Sequence, residues 1–76
     1  MSDFKYPSVG SVWVLTKDLV VTTLGQDKKP TSLRKGTNVK VTGAREGCIL
    51  IWVESSNTRA EVLKETWVLF EPYSSH

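Results

Sequence analysis

A chain of 76 residues, 39% hydrophobic and 24% charged, has the balance of one small globular domain and excludes the low-hydrophobicity, high-charge class of disordered chains. Its single cysteine, Cys48, excludes an intrachain disulfide and a four-cysteine metal site and fits a reducing cytoplasm, while no run approaches the roughly 18 apolar residues of a membrane span. The net charge of +2 is too small to argue for nucleic acid by itself, but it is unevenly spread: residues 1–27 hold two lysines against three aspartates, residues 28–45 hold six cations and no acid, and residues 46–76 hold two cations against five glutamates.

Residues 1–8, ending near Pro7 and without an apolar run of signal-peptide length, read as a tail, and the domain is expected over 9–71 with a second short tail at 72–76. In VGSVWVLT, Val12 and Val14 alternate with Ser11, Trp13 and Leu15, which predicts a first strand. Lys17 and Asp18 interrupt it, and Leu19 to Thr23 resume as a hairpin arm or as the same strand continued through a bulge. Leu24 to Ser32 has no periodicity and contains Gly25, Asp27, Pro30 and Ser32, so it reads as a basic loop. From Leu33 to Glu54 the pattern predicts a β-hairpin whose tip lies within Gly43 to Gly47. Val39 and Val41 alternate with Asn38, Lys40 and Thr42, so one face of that arm is apolar and the other carries Lys40. The second arm, Cys48 to Val53, is apolar on both parities; if Ile49, Ile51 and Val53 fill the core, Leu50 and Trp52 must face elsewhere.

The SSNT run after Glu54 is a turn, and RAEVLKETWVLFEP admits two readings. Thr58 and Glu61 have capping-box spacing, and Leu63, Trp67 and Phe70 come close to helical spacing, which would give an α+β protein with a helix at about 58–70. The β-branched residues and the WVLF run favour instead a strand at Arg59 to Val62, one helical turn at Lys64 to Thr66 and a last strand at Trp67 to Phe70. The second reading makes the chain all-β, a small five-stranded antiparallel barrel.

Three phrases give that barrel a likeness. SLRKGTNVKV resembles the turn into the second strand of an SH3-like barrel, ILIWVE resembles a Trp-bearing third strand, and AEVLKETWV is similar to the closing strand, 3₁₀ turn and last strand of that fold. The Ala-Leu-Tyr-x-Tyr strand, acidic loop and Pro-x-x-Tyr of eukaryotic peptide-binding SH3 domains do not occur, so the resemblance implies the barrel and not recognition of proline-rich ligands.

Catalytic sets are missing from the residue inventory. The one histidine is His76, Cys48 sits beside Ile49 in an apolar run, and the Glu61/Glu65 spacing is ordinary for a solvated face. There is no phosphate-cradling loop, dinucleotide fingerprint or metal-ligand cluster, nor the Val-Gln-Ile-Tyr segment of the reductases built on SH3-like barrels. A non-enzymatic protein without cofactor or metal is therefore expected, a monomer or small homo-oligomer whose economy suits an accessory or host-directed factor of phage type.

Two binding readings follow. In the first, a protein partner meets an exposed apolar face made by Leu50 and Trp52, with Trp13 a further candidate. In the second, nucleic acid meets Lys28, Lys29, Arg34, Lys35, Lys40 and Arg45 while Trp52 or Trp13 stacks on a base. Tails could cover the same face through Phe4, Tyr6 or Tyr73. The protein partner ranks slightly ahead, because apolar residues on a regular face need cover more than loop lysines do.

Overall fold

The computed structural model describes residues 5–24 and 29–73. They form one curled antiparallel sheet with strands β1 (Val12–Leu15), β2 (Leu19–Thr23), β3 (Pro30–Leu33), β4 (Asn38–Arg45), β5 (Cys48–Val53), β6 (Thr58–Leu63) and β7 (Phe70–Pro72). Two 3₁₀ turns, Glu54–Ser56 and Thr66–Leu69, complete the order of elements. The strands lie side by side as β3-β2-β6-β5-β4-β1-β7.

That order forces the curl. Between β2 and β1 lie β6, β5 and β4, so a flat sheet would hold them four strand spacings, about 19 Å, apart. The chain must cross from Leu15 to Leu19, and four residue steps reach at most about 14 Å. The link is pinned on both sides: Thr16 donates to the Leu69 carbonyl through its backbone N–H at 2.8 Å and its hydroxyl at 2.6 Å, and the Asp18 carboxylate accepts from the Lys35 N–H at 2.8 Å. The break at Lys17 and Asp18 therefore separates two strands and is not a bulge within one.

Inside the curl, Leu15, Val39, Val41, Ile49, Ile51, Val53, Ala60 and Val62 are buried, joined by Val21 and Leu33 on one flank and by Trp67 and Phe70 on the other. The β4 and β5 alternation expected from the sequence is the one observed, with Ile49, Ile51 and Val53 inside. Ala60 and Val62 are buried while Arg59 and Leu63 are exposed, a period of two that makes Thr58–Leu63 a strand rather than the start of a helix. Both outermost strands carry a proline, Pro30 opening β3 and Pro72 closing β7, which limits further pairing along the open edges.

Seven strands replace the five expected, because Val12–Leu15 and Leu19–Thr23 are two strands and because Pro30–Leu33 add a third beside them; the last strand is also shifted along the chain. Residues Pro30–Ser32, expected within the loop, join Leu33 in a strand that pairs with β2 from Leu19↔Leu33 to Thr22↔Pro30; of its inward residues, Thr31 and Leu33, only Leu33 is apolar, so there is no hydrophobic alternation to detect. Trp67–Leu69, expected as the last strand, form the second 3₁₀ turn instead, and pairing with β1 is made by Phe70–Pro72. The turn lets Trp67 drop into the core and stack on Phe70 at a ring separation of 4.5 Å, at the cost of leaving Val68 78% exposed.

Gly36 closes the turn between β3 and β4 at φ 93°, with its N–H donating to the Leu15 carbonyl at 2.7 Å. No atom lies within 4 Å of where a Cβ would stand, so Gly36→Ala tests conformation alone. The substitution is expected to cost about 1–2 kcal/mol of unfolding free energy; a urea melt identical to wild type would show that the turn accommodates an L side chain.

Candidate functional site

The outer face of the sheet is organised by pairing across its centre. Trp52 on β5 stands directly opposite Lys40 on β4 and Arg59 on β6, and Val12 on β1 extends the row beyond Lys40. Residues opposed in this way have Cβ atoms about 5 Å apart, so the indole lies between two cations that are themselves separated by about 10 Å. The Arg59 guanidinium carbon is 6.0 Å from the Trp52 ring centroid, at the outer limit of a cation–π contact. Trp52 and its neighbour Leu50 are half-buried rather than fully exposed.

A bulge adds a third cation. Pairing runs Val41↔Ile51 and then Gly43↔Leu50, so Thr42 and Gly43 together oppose one residue. Beyond it, every β4 side chain changes face relative to an unbroken alternation. Arg45, which would otherwise share the inward parity of Val39 and Val41, pairs with Cys48 on the outer face. Glu46 and Gly47 then close the hairpin, with Gly47 at φ 82°.

The result is a shallow groove of about 710 Å³ lined by Lys40, Arg45 and Arg59 around Trp52 and Leu50, with Thr42 at the bulge and Leu24 at the far side. Leu24 is held there by its N–H, which donates to the Arg59 carbonyl at 2.9 Å. Among the described residues the lining contains three cations and no carboxylate. The nearest acid in register is Glu61, which opposes Leu50 and Thr22 and lines the neighbouring hollow with Val20 and Leu63. Cys48 is a half-buried free thiol at the end of the groove beside Arg45.

The remaining candidates are dispersed. Arg34 and Lys35 lie in the turn between β3 and β4, where Lys35 lines a separate hollow that also holds Glu54. Lys29 is exposed just before β3, its backbone bonded to Thr23, and Lys28 lies outside the described residues. Trp13 is on the inner face, 5.0 Å from Trp67 by ring centroids, and its indole N–H donates to the Ser11 hydroxyl at 2.8 Å. It therefore does not join Trp52. Of the tail aromatics, Tyr6 accepts a hydrogen bond from the Gly47 N–H at the hairpin tip at 2.8 Å, Tyr73 follows β7 beside Val12, and Phe4 lies outside the described residues.

Arg59 and Leu24 are the groove residues that the sequence reading passes over. Arg59 was open to detection, because the inward alternation of Ala60 and Val62 sends Arg59 and Glu61 outward; Leu24 has no such signal. No helix among the described residues is long and apolar enough to cross a membrane, and none of them form a cluster of three or more His, Cys, Asp or Glu placed to hold a metal ion. No family model matches the chain, and comparison with curated proteins and with solved structures finds no match.

Proposed function

We propose that the protein is a non-enzymatic, cytoplasmic binding module that takes up nucleic acid on the outer face of an SH3-like barrel. One observation carries the reading: Lys40, Trp52 and Arg59 stand in one cross-strand row, with Arg45 turned to the same face and no carboxylate among the described residues of the lining. The SH3-like description is supported by the β4–β5 hairpin and by the single 3₁₀ turn before the last strand.

The ranking of partners changes once the neighbours of Trp52 are known. The sequence favours a protein partner on the bare apolar surface expected of Leu50 and Trp52, but both are half-buried and bordered by cations. What such a face offers is a π surface inside positive charge, and a polyanion with flat bases matches both properties. Three phosphate contacts place the affinity in the weak, sequence-tolerant range of about 10⁻⁴–10⁻⁶ M at physiological salt.

The test is fluorescence anisotropy with labelled DNA and RNA at low salt, comparing wild type with Lys40→Glu/Arg59→Glu and with Arg34→Glu/Lys35→Glu. The first double variant is expected to weaken binding by at least about tenfold, and the second, which reverses the same charge in a distant turn, to change it far less. Equal losses from the two would reduce the effect to net charge. No binding to any nucleic acid at low salt, with an acidic protein segment captured through Lys40 and Arg59, would overturn the proposal in favour of a protein partner.

A further inference from the structure

We infer that the nucleic acid taken up by this face is single-stranded, with a base stacked on Trp52 between Lys40 and Arg59. The inference rests on the nucleic-acid reading above and concerns which form of the polymer the groove can hold.

Duplex DNA is read by an element that projects into a groove, either a helix or a two-stranded ribbon. The only helical segments among the described residues are the two short 3₁₀ turns, and neither lines the groove. The ribbon nearest the site is the β4–β5 hairpin, whose closing residues are Glu46 and Gly47; a carboxylate would lead into a lining of phosphates. Trp52 cannot reach paired bases either. It is the penultimate residue of β5, on the outer face of the curled sheet and half-buried, with Lys40 and Arg59 on either side at its own height.

A single strand has the complementary form. Its bases are free to turn a face toward the sheet, and stacking on an aromatic platform is available to every base. The two cations that bracket the indole are about two strand spacings apart, roughly 10 Å, leaving room for one backbone with its phosphates directed to the flanks. Arg45 lies further along, four residues down β5 from Trp52 by way of its partner Cys48, about 13 Å away, and so continues the charge along the groove rather than across it. Between them, Leu50 and Leu24 offer apolar cover for an adjacent base or sugar.

The experiment compares an oligothymidylate of about 12 nucleotides, within the site sizes known for small barrels, with a duplex of equal length. Both are titrated against wild type, Trp52→Ala and Trp52→Phe, following intrinsic fluorescence and anisotropy. Trp13 and Trp67 pack on the inner face, so quenching reports on Trp52. Single strand is expected to bind more tightly than duplex, to quench the wild type, and to show a log–log salt slope of about −2 for three neutralised phosphates. Trp52→Ala should bind about 5- to 150-fold more weakly, while Trp52→Phe keeps a stacking face and retains most of the affinity. A urea melt of Trp52→Ala close to that of wild type establishes that the loss is at the surface. Duplex binding as tight as single strand, or Trp52→Ala binding oligothymidylate as wild type does, would overturn the inference and leave the nucleic-acid reading standing. Competition by polyglutamate as strong as by oligothymidylate would overturn it as well, since charge alone would then suffice. Failure of both polymers to bind at low salt would remove the nucleic-acid reading together with the inference.

Discussion

Ile51→Ala is expected to lower the unfolding free energy by about 2–5 kcal/mol, a range set by the lost transfer energy and the cavity left behind. Ile51 has no exposed surface and sits mid-way along β5, the middle member of the β6-β5-β4 meander, opposite Val41 on one side and Ala60 on the other. Neighbours held by two ladders cannot collapse freely into the space, which places the cost toward the upper part of the range. A domain of this size has about 5–15 kcal/mol in total, so the variant should lose a large share of its stability. With a urea m-value of about 1 kcal/mol/M for so small a protein, the midpoint should fall by about 2 M or more. Trp52, the next residue, is the control, because its side chain leaves the sheet in the opposite direction. A melt of Ile51→Ala superimposable on wild type would mean that the inward and outward faces of β5 have been assigned the wrong way round.

Trp67→Ala should cost about 3–5 kcal/mol, for a reason that lies at the open end of the curl. Trp67 is brought into the core by the Thr66–Leu69 turn, stacks on Phe70 at 4.5 Å with the rings 19° from parallel, and meets Trp13 at 5.0 Å with a tilt of 57°. Offset-stacked and tilted pairs contribute about 0.5–1.5 kcal/mol each beyond the area they bury. Without the indole, Trp13 on β1 and Phe70 on β7 lose the ring that joins them. Near-UV circular dichroism should lose intensity as the cluster loosens, and Trp67→Phe should recover part of both signal and stability. Wild-type near-UV intensity in Trp67→Ala would show that the cluster does not order this end of the sheet.

These two variants probe what was readable in different degrees from the chain. The inward row of Val39, Val41, Ile49, Ile51 and Val53 follows from a period of two along each strand, and a period of two is a property of neighbouring residues only. The same rule identified Lys40 as outward and left Leu50 and Trp52 on the face opposite the core. It failed at Pro30–Leu33, where an edge strand buries one residue and leaves no pattern, and at Trp67–Leu69, where a strand-like composition is overridden by the depth at which Trp67 must pack.

The site divides along the same line. Six cations in 28–45 are adjacent in the chain, yet Lys40 and Arg45 reach the groove while Arg34 and Lys35 go to a different turn, and the third cation of the groove, Arg59, comes from a segment that is acidic overall. By itself the sequence favoured the all-β class and determined the inward valines of β4, the outward placement of Lys40 and the opposition of Ile49, Ile51 and Val53 to Leu50 and Trp52, because local alternation is enough to sort side chains between two faces. Only the tertiary structure decided that Lys40, Trp52 and Arg59 share one row and that Arg45 joins them. Register depends on which strands pair and on the extra residue in the Val41–Gly43 bulge, and such pairing joins residues far apart in the chain.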